Sequence, residues 1–227
     1  VYLMRVAQEG LLGQVACSDP NTASVAPFGG TRAVMTPNPI AIGFPTSSGP
    51  VLIDISASIT TNGMSNRKAA AGETFAEAWL MDAQGNPSRD PAVLAQDPPG
   101  TILPIGGISY GHKGYGLGLT VEALTAALAG HGRADPREGW GATVHITIHD
   151  PDAYGGSAEF LRQMDWLANA CKDNPPRAGG PAVRLPGQGG MQRRAQQLTG
   201  GVALHPSIAP MLEPFCSKYA CPFPTAL

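Results

Sequence analysis

The spacing of apolar residues over residues 106–130 predicts a glycine-rich loop followed by an amphipathic helix. Four apolar positions recur at intervals of four, three and four residues, as on one face of a helix with 3.6 residues per turn: Leu117, Val121, Leu124 and Leu128. Gly114 and Gly118 lie four residues apart beside that face. Because glycine has no side chain, this pair predicts that another backbone segment approaches the helix closely.

Apolar and β-branched runs elsewhere predict short strands joined by turns. They fall at residues 11–17, 39–45, 51–55, the start of 79–91, 101–105 and 142–149. The second and third runs are separated by turn residues and predict a β-hairpin. Helices are predicted up to Gly10, within residues 59–72, over residues 160–171, and after a basic loop at 184–194, before a proline-rich end. We therefore expect an α/β chain with a mixed or antiparallel sheet.

His112 and Lys113 come just before the predicted central helix. The start of a helix carries unpaired backbone N–H groups and the positive end of the helix dipole, and both favour an anion. Lys113 adds a positive charge at the same point. The loop therefore predicts a site for phosphate or carboxylate.

Composition narrows the function classes. The chain has 227 residues, a size compatible with one large domain or two small ones. It is 43% hydrophobic and 14% charged with a net charge of −2, which argues against a nucleic-acid-binding surface. No apolar run reaches the roughly 18–20 residues that a membrane span needs. Four cysteines without CxxC spacing favour cytosolic thiols over disulfides or structural zinc: Cys17, Cys171, Cys216 and Cys221.

Three polar residues in the predicted strands have both a structural and a functional interpretation. Asp54 is the charged residue of the run 51–55, where it is either a cap or a carboxylate that a rigid strand holds at a cleft. His145 and His149 are four residues apart and share one face of a strand. Two histidines on one face are compatible with a metal, but no third ligand is close in sequence, so a metal site is the less favoured interpretation.

Motif tests leave one alternative open. The chain has no GxGxxG and no GxxxxGK[ST], which disfavours a doubly wound Rossmann domain. Residues 107–111 match GxSxG between an apolar strand and a helix, so Ser109 is a candidate nucleophile of a serine hydrolase. Against this alternative, the helix of a nucleophile elbow begins directly after the serine, whereas glycines at 111, 114 and 116 are expected to delay it here.

Six segments together, in their order and spacing, resemble the type-2 malate/L-lactate dehydrogenase family. They are APFGG (26–30), TPNPIAIGFPT (36–46), LIDIS (52–56), DAQGNPSRDP (82–91), GHKGYGLGLTVEALTAALAG (111–130) and VRLPGQ (183–188). Members of this family include enzymes that act on ureidoglycolate, sulfolactate, 2,3-diketogulonate and cyclic imino acids. The resemblance covers nearly the whole chain.

The resemblance implies an oxidoreductase that uses NAD or NADP and a non-Rossmann, sulfolactate dehydrogenase-like cofactor fold. Such an enzyme moves hydride between the nicotinamide and a 2-hydroxy (or imino) acid, as a cytoplasmic homodimer without nucleic-acid or membrane partners. The implied cofactor-binding residues are Ser18, Asp54, Ile55, Ser56, His112, Lys113 and Gly114, with Arg184 and Arg194 as further candidates. Asp54 would also orient the acid/base histidine. Residues 58–68 depart from the Ala-Arg-Gly-Lys-like run of relatives, which leaves the substrate open.

The resemblance also implies an incomplete site. The family's acid/base histidine and substrate-binding arginine lie near a Ser-His-Gly motif in an N-terminal region, and none of the five histidines of this chain matches that position. We therefore expect residues 1–175 to form most of an NAD(P)-binding domain and residues 176–227 a C-terminal returning segment. The N-terminal catalytic segment would be absent and this piece inactive alone. A non-catalytic dimerisation fragment is the remaining alternative.

Overall fold

A four-stranded antiparallel sheet forms the frame of the molecule. The structure, a computed structural model, describes residues 2–136, 139, 141–205 and 208–223. Its strands are β1 (Leu12–Ser18), β2 (Pro39–Phe44), β3 (Val51–Ser56) and β7 (Thr143–His149). They lie side by side in the order β3-β2-β1-β7. The predicted hairpin of β2 and β3 is confirmed, because Gly43 pairs with Leu52 and Ala41 with Asp54.

Helix α1 (Tyr2–Gln8) lies on one face of this sheet, where two glycines face each other across β1 and β2. Gly13 pairs with Gly43. A Cβ atom at Gly13 would lie 2.9 Å from Leu3 Cδ2, and one at Gly43 would lie 2.8 Å from Leu3 Cβ. The glycine pair therefore makes the space into which Leu3 packs.

The opposite face of the sheet carries the central helix, α4 (His112–Glu122). Val121 is fully buried against Ala16 of β1 and Ile40 of β2, and Leu117 packs beside them. The apolar period of the sequence predicted this buried face correctly as far as Leu124. Leu128, however, is 70% exposed, and Thr125 and Ala126 are buried instead.

The prediction for Leu128 was wrong because the helix changes its period. Residues Ala123–Ala127 form a π-helical turn directly after α4. A π turn holds one more residue than an α turn, so the residues that follow it are rotated away from the face that a constant 3.6-residue period predicts.

A smaller sheet and a second core support the start of α4. Its strands are short: β4 (Leu80–Met81), β5 (Pro87–Ser88) and β6 (Thr101–Ile102), in the order β5-β4-β6. Helix α2 (Asn62–Ala70) is capped by Thr61. The buried members of this core are Val25, Met35, Phe75, Leu80, Val93 and Ile102. The loop residues Val25 and Met35 thus supply two of these core side chains.

The remaining helices are α3 (Gly107–Tyr110), α5 (Ser157–Lys172), α6 (Gln188–Gly200) and α7 (Ile208–Lys218). Asp165 of α5 accepts hydrogen bonds from the backbone N–H and hydroxyl of Ser47, which joins α5 to the β2–β3 turn. The backbone N–H of Leu52 donates to Pro186 O over 3.1 Å, so the chain before α6 runs along the outer edge of β3.

The predicted fold class is confirmed, since the described strands form antiparallel sheets with helices beside them. The loop predicted for the basic stretch 184–194 is confirmed for residues 184–187 and wrong from Gln188 onwards, because Gly187 at φ 87° starts α6 there. Among the described helices, none combines the length and apolar character of a membrane span. Val1 of the predicted first helix and residues 224–227 of the predicted proline-rich end lie outside the described residues.

Candidate functional site

The start of α4 crosses the end of β3 at Gly114, and this crossing builds the candidate site. The backbone N–H of Ile105 donates to Ala57 O over 2.9 Å, and the N–H of Gly114 donates to Ile105 O over 3.1 Å. A Cβ atom at Gly114 would lie 2.3 Å from Ile105 N and 2.6 Å from Ala57 O. Only glycine fits here, which confirms the predicted close approach for Gly114. At Gly118 a Cβ atom would make ordinary contacts, the nearest at 3.4 Å from Met35 Sδ.

Asp54, Ile55 and Ser56 form the last half of β3, directly before this crossing. Asp54 is exposed and lies three residues from Ala57, about 10 Å along an extended strand. Ile55 is 43% exposed, which is unusual for an isoleucine inside a strand. Ser56 is half-buried, and its hydroxyl donates to Ser58 O over 2.8 Å. The strand thus presents the Ile55 side chain on the sheet face that carries α4, and the Asp54 carboxylate on the opposite face, because successive strand residues point to opposite sides.

His112 and Lys113 are both exposed in the first turn of α4. The His112 ring contacts Phe28 edge-on at 5.7 Å between centroids. Lys113 Nζ lies 5.6 Å from the centre of the Tyr110 ring, where a cation is favoured by the ring electrons. Both side chains are open to solvent, next to the exposed end of β3.

The predicted arrangement of this loop was partly wrong. His112 and Lys113 lie inside the helix and not before it, because α3 already begins at Gly107 and leads into α4. The backbone N–H of Gly114 donates to Ile105 O, and that of Tyr115 donates to Gly111 O over 2.8 Å, so neither is available to an anion. An anion here would therefore be held mainly by the Lys113 side chain.

Ser18 lies at the other end of α4, inside a buried polar network. Its hydroxyl is 3.0 Å from Asn38 Oδ1 and 2.9 Å from Glu122 Oε1. Asn38 is fully buried at φ 49°, and its Nδ2 donates to Glu122 Oε1 over 2.8 Å and to Gly118 O over 3.1 Å. Lys113 and Glu122 are nine residues apart on one helix, which is about 14 Å. The structure therefore separates Ser18 from His112 and Lys113, whereas the end of β3 is close to the network, because the backbone N–H of Ala57 donates to Asn38 O over 3.3 Å.

Arg133 completes this network at the surface. Its Nη2 is 2.7 Å and its Nε 2.9 Å from Glu122 Oε1, and its Nη1 donates to Thr22 O over 2.8 Å. The side chains of Glu122 and Arg133 are each 16% exposed. Every donor named here has an acceptor, so the network is suited to holding α4 against β1 and β2.

Sequence reasoning missed the three main members of this network: Asn38, Glu122 and Arg133. Along the chain, Asn38 lies 84 residues before Glu122 and Arg133 lies 11 residues after it, so no local motif links the three. One signal was available in the sequence. Glu122 is the lone charged residue of the apolar stretch 114–130, and a charge beside a buried helix face requires a partner.

Arg184 and Arg194 are not brought to the same place. Arg184 lies just before Pro186 and Gly187, which pack on Leu52 of β3, and Leu52 lies two residues from Asp54 on the same strand face. Arg194 is exposed further along α6. The structure thus places the segment of Arg184 along the edge of β3 and leaves Arg194 on the surface of a separate helix.

The alternative chemistries do not gain support from the geometry. Ser109 is exposed within α3, five residues after Pro104, whereas a nucleophile elbow places its serine in a sharp turn directly after a strand. Burial, and then the Asp19 carboxylate, raise the pKa of the Cys17 thiol, which keeps it protonated. Among the described residues, no three His, Cys, Asp or Glu side chains are grouped as metal ligands, and His149 is hydrogen-bonded to Tyr154.

Comparison with known proteins gives consistent relatives. The L-lactate dehydrogenase of Cupriavidus necator is 30% identical over 208 residues, which cover 89% of this chain and 58% of that protein. The L-sulfolactate dehydrogenase of Methanothermobacter thermautotrophicus is 34% identical over 158 residues, covering 66% of this chain and 44% of that protein. The chain thus spans about half the length of these curated relatives.

Solved structures share the fold. A dehydrogenase from Sinorhizobium meliloti is 31% identical with a TM-score of 0.74, covering 94% of this chain and 61% of that one. Malate dehydrogenase from Entamoeba histolytica reaches a TM-score of 0.86 at 22% identity, covering 99% of this chain and 65% of that one. The malate/L-lactate dehydrogenase family model matches residues 1–213. The chain therefore belongs to the malate/L-lactate dehydrogenase family and has its sulfolactate dehydrogenase-like, non-Rossmann fold.

Proposed function

We propose that this chain supplies the cofactor cleft of a nicotinamide-dependent oxidoreductase that acts on a 2-hydroxy or imino acid. Family membership supports an oxidoreductase, since the relatives are dehydrogenases and reductases. The observation that carries the assignment of the cleft is the crossing at Gly114. It sets the helix turn of the exposed Lys113 against Ala57, two residues after the exposed Ile55, which lies on the sheet face that carries α4.

The residues at this crossing fit a dinucleotide. Lys113 supplies a cation for phosphate, and the carboxylate of Asp54 is an acceptor for ribose hydroxyls. The exposed side chain of Ile55 offers an apolar surface for a flat ring. Gly114 keeps the backbone of α4 close to the strand, and His112 covers the same helix end beside Phe28.

Each residue has a role that its own chemistry allows. A bound nicotinamide cofactor would accept or deliver the hydride. Lys113 would hold the anionic part of the ligand, and Asp54 would fix its orientation or that of an acid/base histidine from outside this chain. Ser56 would add a hydroxyl contact. Ser18 remains a predicted contact, and we expect it to act through its neighbours because its hydroxyl is engaged by Asn38 and Glu122.

Cofactor binding is testable by titrating the purified chain with NADH and NADPH while nicotinamide fluorescence is followed. Lys113→Ala is expected to weaken binding about tenfold, the value of one charge-assisted contact. Lys218→Ala is the matched control, because Lys218 is another lysine placed over a tyrosine ring, at 5.1 Å. Equal effects of the two substitutions would contradict the assignment, and the preferred nucleotide decides between NAD and NADP.

Turnover of a 2-hydroxy acid is expected to be very slow for this chain alone. The acid/base histidine and the substrate-binding arginine are proposed to come from a region that this chain does not contain, and proton transfer contributes typically 10²- to 10⁴-fold to a rate. Adding the N-terminal region of a relative as a separate polypeptide should raise turnover. If turnover did not rise although cofactor is bound, the proposal that the acid/base and substrate-binding residues come from another region would be contradicted.

We further propose a cytoplasmic homodimer. The edge strand β7 presents three apolar side chains on one face, and Val144, Ile146 and Ile148 are 54%, 64% and 53% exposed. Such a row is typical of a surface that another protein covers. Sedimentation of the native chain and of Ile146→Lys tests this, and a native chain that sediments as a monomer contradicts it.

A further inference from the structure

Two of the four cysteines come together at the end of α7. Cys216 lies in the last turn of this helix, and Cys221 follows three residues after the helix ends at Lys218. All four cysteines of the chain are free thiols. Because Cys221 comes five residues after Cys216, no familiar spacing such as CxxC marks the pair in the sequence.

A Schellman turn ends α7 and joins the main chains of these two cysteines. The backbone N–H of Cys221 donates to Cys216 O over 3.0 Å, and that of Ala220 donates to Ser217 O over 3.4 Å. Ala220 has a φ of 51°, the left-handed conformation that this turn requires. The bond lengths on either side of the hydrogen bond between the cysteines limit the distance between their Cα atoms to about 7 Å at most. A disulfide can form within that distance.

The two thiols differ in access but share one groove. Both cysteines border a surface groove of ≈ 410 Å³ beside the end of α7. Cys221 is exposed, and its thiol donates to Tyr219 O over 3.6 Å, whereas Cys216 is half-buried. In a Schellman turn, the side chains at these two positions frequently contact each other. One thiol is therefore accessible to a reagent, and the turn holds the second thiol close to it.

We propose that Cys216 and Cys221 form a redox-active dithiol that exchanges with a low-molecular-weight disulfide, RSSR. The Cys221 sulfur gives up its proton and attacks one sulfur of RSSR, which forms a mixed disulfide and releases the first RSH. The Cys216 sulfur then gives up its proton and attacks the Cys221 sulfur, which forms the Cys216–Cys221 bond and releases the second RSH. The protein loses two protons and two electrons, and RSSR takes up both pairs. The site does not depend on the proposed dehydrogenase activity.

Mass spectrometry after exposure of the whole chain to 2-hydroxyethyl disulfide tests this exchange. The probe is uncharged, so Glu213, which also borders the groove, neither attracts nor repels it. We expect the native chain to form the Cys216–Cys221 disulfide, because the neighbouring thiol displaces the mixed disulfide. Cys216→Ser should instead keep a lasting mixed disulfide at Cys221. Cys171→Ser removes another exposed cysteine and is the matched control, which should leave the Cys216–Cys221 disulfide unchanged.

Substitutions at Ala220 test whether the turn favours the pairing. Valine is strained at positive φ, so Ala220→Val should lower the equilibrium constant for disulfide formation about tenfold in a buffer of 2-mercaptoethanol and 2-hydroxyethyl disulfide. Glycine adopts this conformation freely, so Ala220→Gly should keep or raise the native value. Ala220 is exposed and lies after the helix, so both variants are expected to fold.

Three results would overturn the proposal. The first is a native chain in which Cys216 and Cys221 both stay reduced. The second is a native chain that keeps a mixed disulfide at Cys221 while Cys216 remains a thiol. The third is an equal equilibrium constant for Ala220→Val and Ala220→Gly, since the turn would then not hold the two thiols together.

Discussion

The two ends of α4 have opposite characters, although they belong to one continuous helix. At its start, Gly114 lies against the backbone of Ile105 and Ala57, while the side chains of His112 and Lys113 are open to solvent. At its end, Glu122 is held by Asn38 and Arg133 in a network whose donors are satisfied. One end therefore has groups available for a ligand, and the other has groups already engaged.

This difference suggests that one end of α4 binds a ligand and that the other end holds the helix in place. A buried polar network with its hydrogen bonds made fixes one arrangement of the elements around it. An exposed cation and carboxylate add little to stability, since water solvates them well. We infer that the network end positions the helix and that the open end binds, so that substitutions at the two ends should change different observables.

Removing the Glu122 carboxylate should have the largest effect on stability. Glu122→Ala leaves the Arg133 guanidinium and the Asn38 amide without their shared acceptor. Breaking a fully buried pair costs about 3–5 kcal/mol of unfolding free energy, and this pair, whose side chains are each 16% exposed, is expected toward the lower end of that range. Urea unfolding measures this cost. Glu159→Ala removes the exposed partner of Arg162 and is the control, expected to change little. If both substitutions lowered the unfolding free energy by a similar amount, the network at the end of α4 would not be more stabilising than an exposed ion pair.

A methyl group at Gly114 should have the next largest effect. Gly114→Ala forces α4 away from Ile105 and Ala57, and such overpacking costs about 1–3 kcal/mol. Gly116→Ala is the matched control two residues along, because no atom lies within 4 Å of its Cβ position. That variant should be neutral or stabilised by about 0.5–1 kcal/mol, since alanine favours a helix. Equal destabilisation by the two alanines would show that the crossing is not tight.

Loss of the Asp54 charge should change binding and not stability. Asp54→Asn is expected to lower NADH affinity about tenfold, because an amide is a weaker acceptor than a carboxylate for ribose hydroxyls. Asp97→Asn, at another exposed carboxylate, is the control and should leave the affinity unchanged. Fluorescence titration measures both. An unaltered affinity in Asp54→Asn would exclude the end of β3 from the cofactor cleft.

The smallest effect concerns pH and the contact between α5 and the β2–β3 turn. The hydroxyl and then the backbone N–H of Ser47 lower the pKa of Asp165 below its ordinary 3.8. Because the folded-state pKa is the lower one, the contribution to stability is complete above about pH 4–5 and is lost as pH falls through that folded value. Asp165→Asn should therefore lower the urea midpoint slightly at pH 7 and by less at pH 2. If Asp165→Asn lowered the urea midpoint equally at both pH values, the stabilisation would not come from the ionised Asp165 carboxylate.

Local patterns predicted the secondary structure well where one side of an element is buried. The alternation over residues 142–149 predicted β7, and the turn residues 46–49 predicted the hairpin of β2 and β3. The close approach at Gly114 was also predicted, but its partners Ile105 and Ala57 were not. A missing side chain indicates that space is needed and does not indicate which segment fills it.

The errors arose where backbone geometry departs from a regular period. The π turn over Ala123–Ala127 rotated Leu128 to the surface, and glycines at 106 and 107 with positive φ allowed α3 to form where a loop was expected. The network of Ser18, Asn38 and Glu122 was missed because its members meet only after the sheet and α4 have packed. Side-chain contacts between distant segments leave almost no pattern in a single sequence.

The central claim is that ligand binding and structural support lie at opposite ends of α4. The most direct test measures NADH affinity and unfolding free energy for Lys113→Ala and Glu122→Gln in parallel. We expect Lys113→Ala to lose affinity about tenfold with unchanged stability, and Glu122→Gln to lose about 1–3 kcal/mol of stability with affinity within about twofold of native. A Glu122→Gln variant that loses as much affinity as Lys113→Ala would contradict the claim.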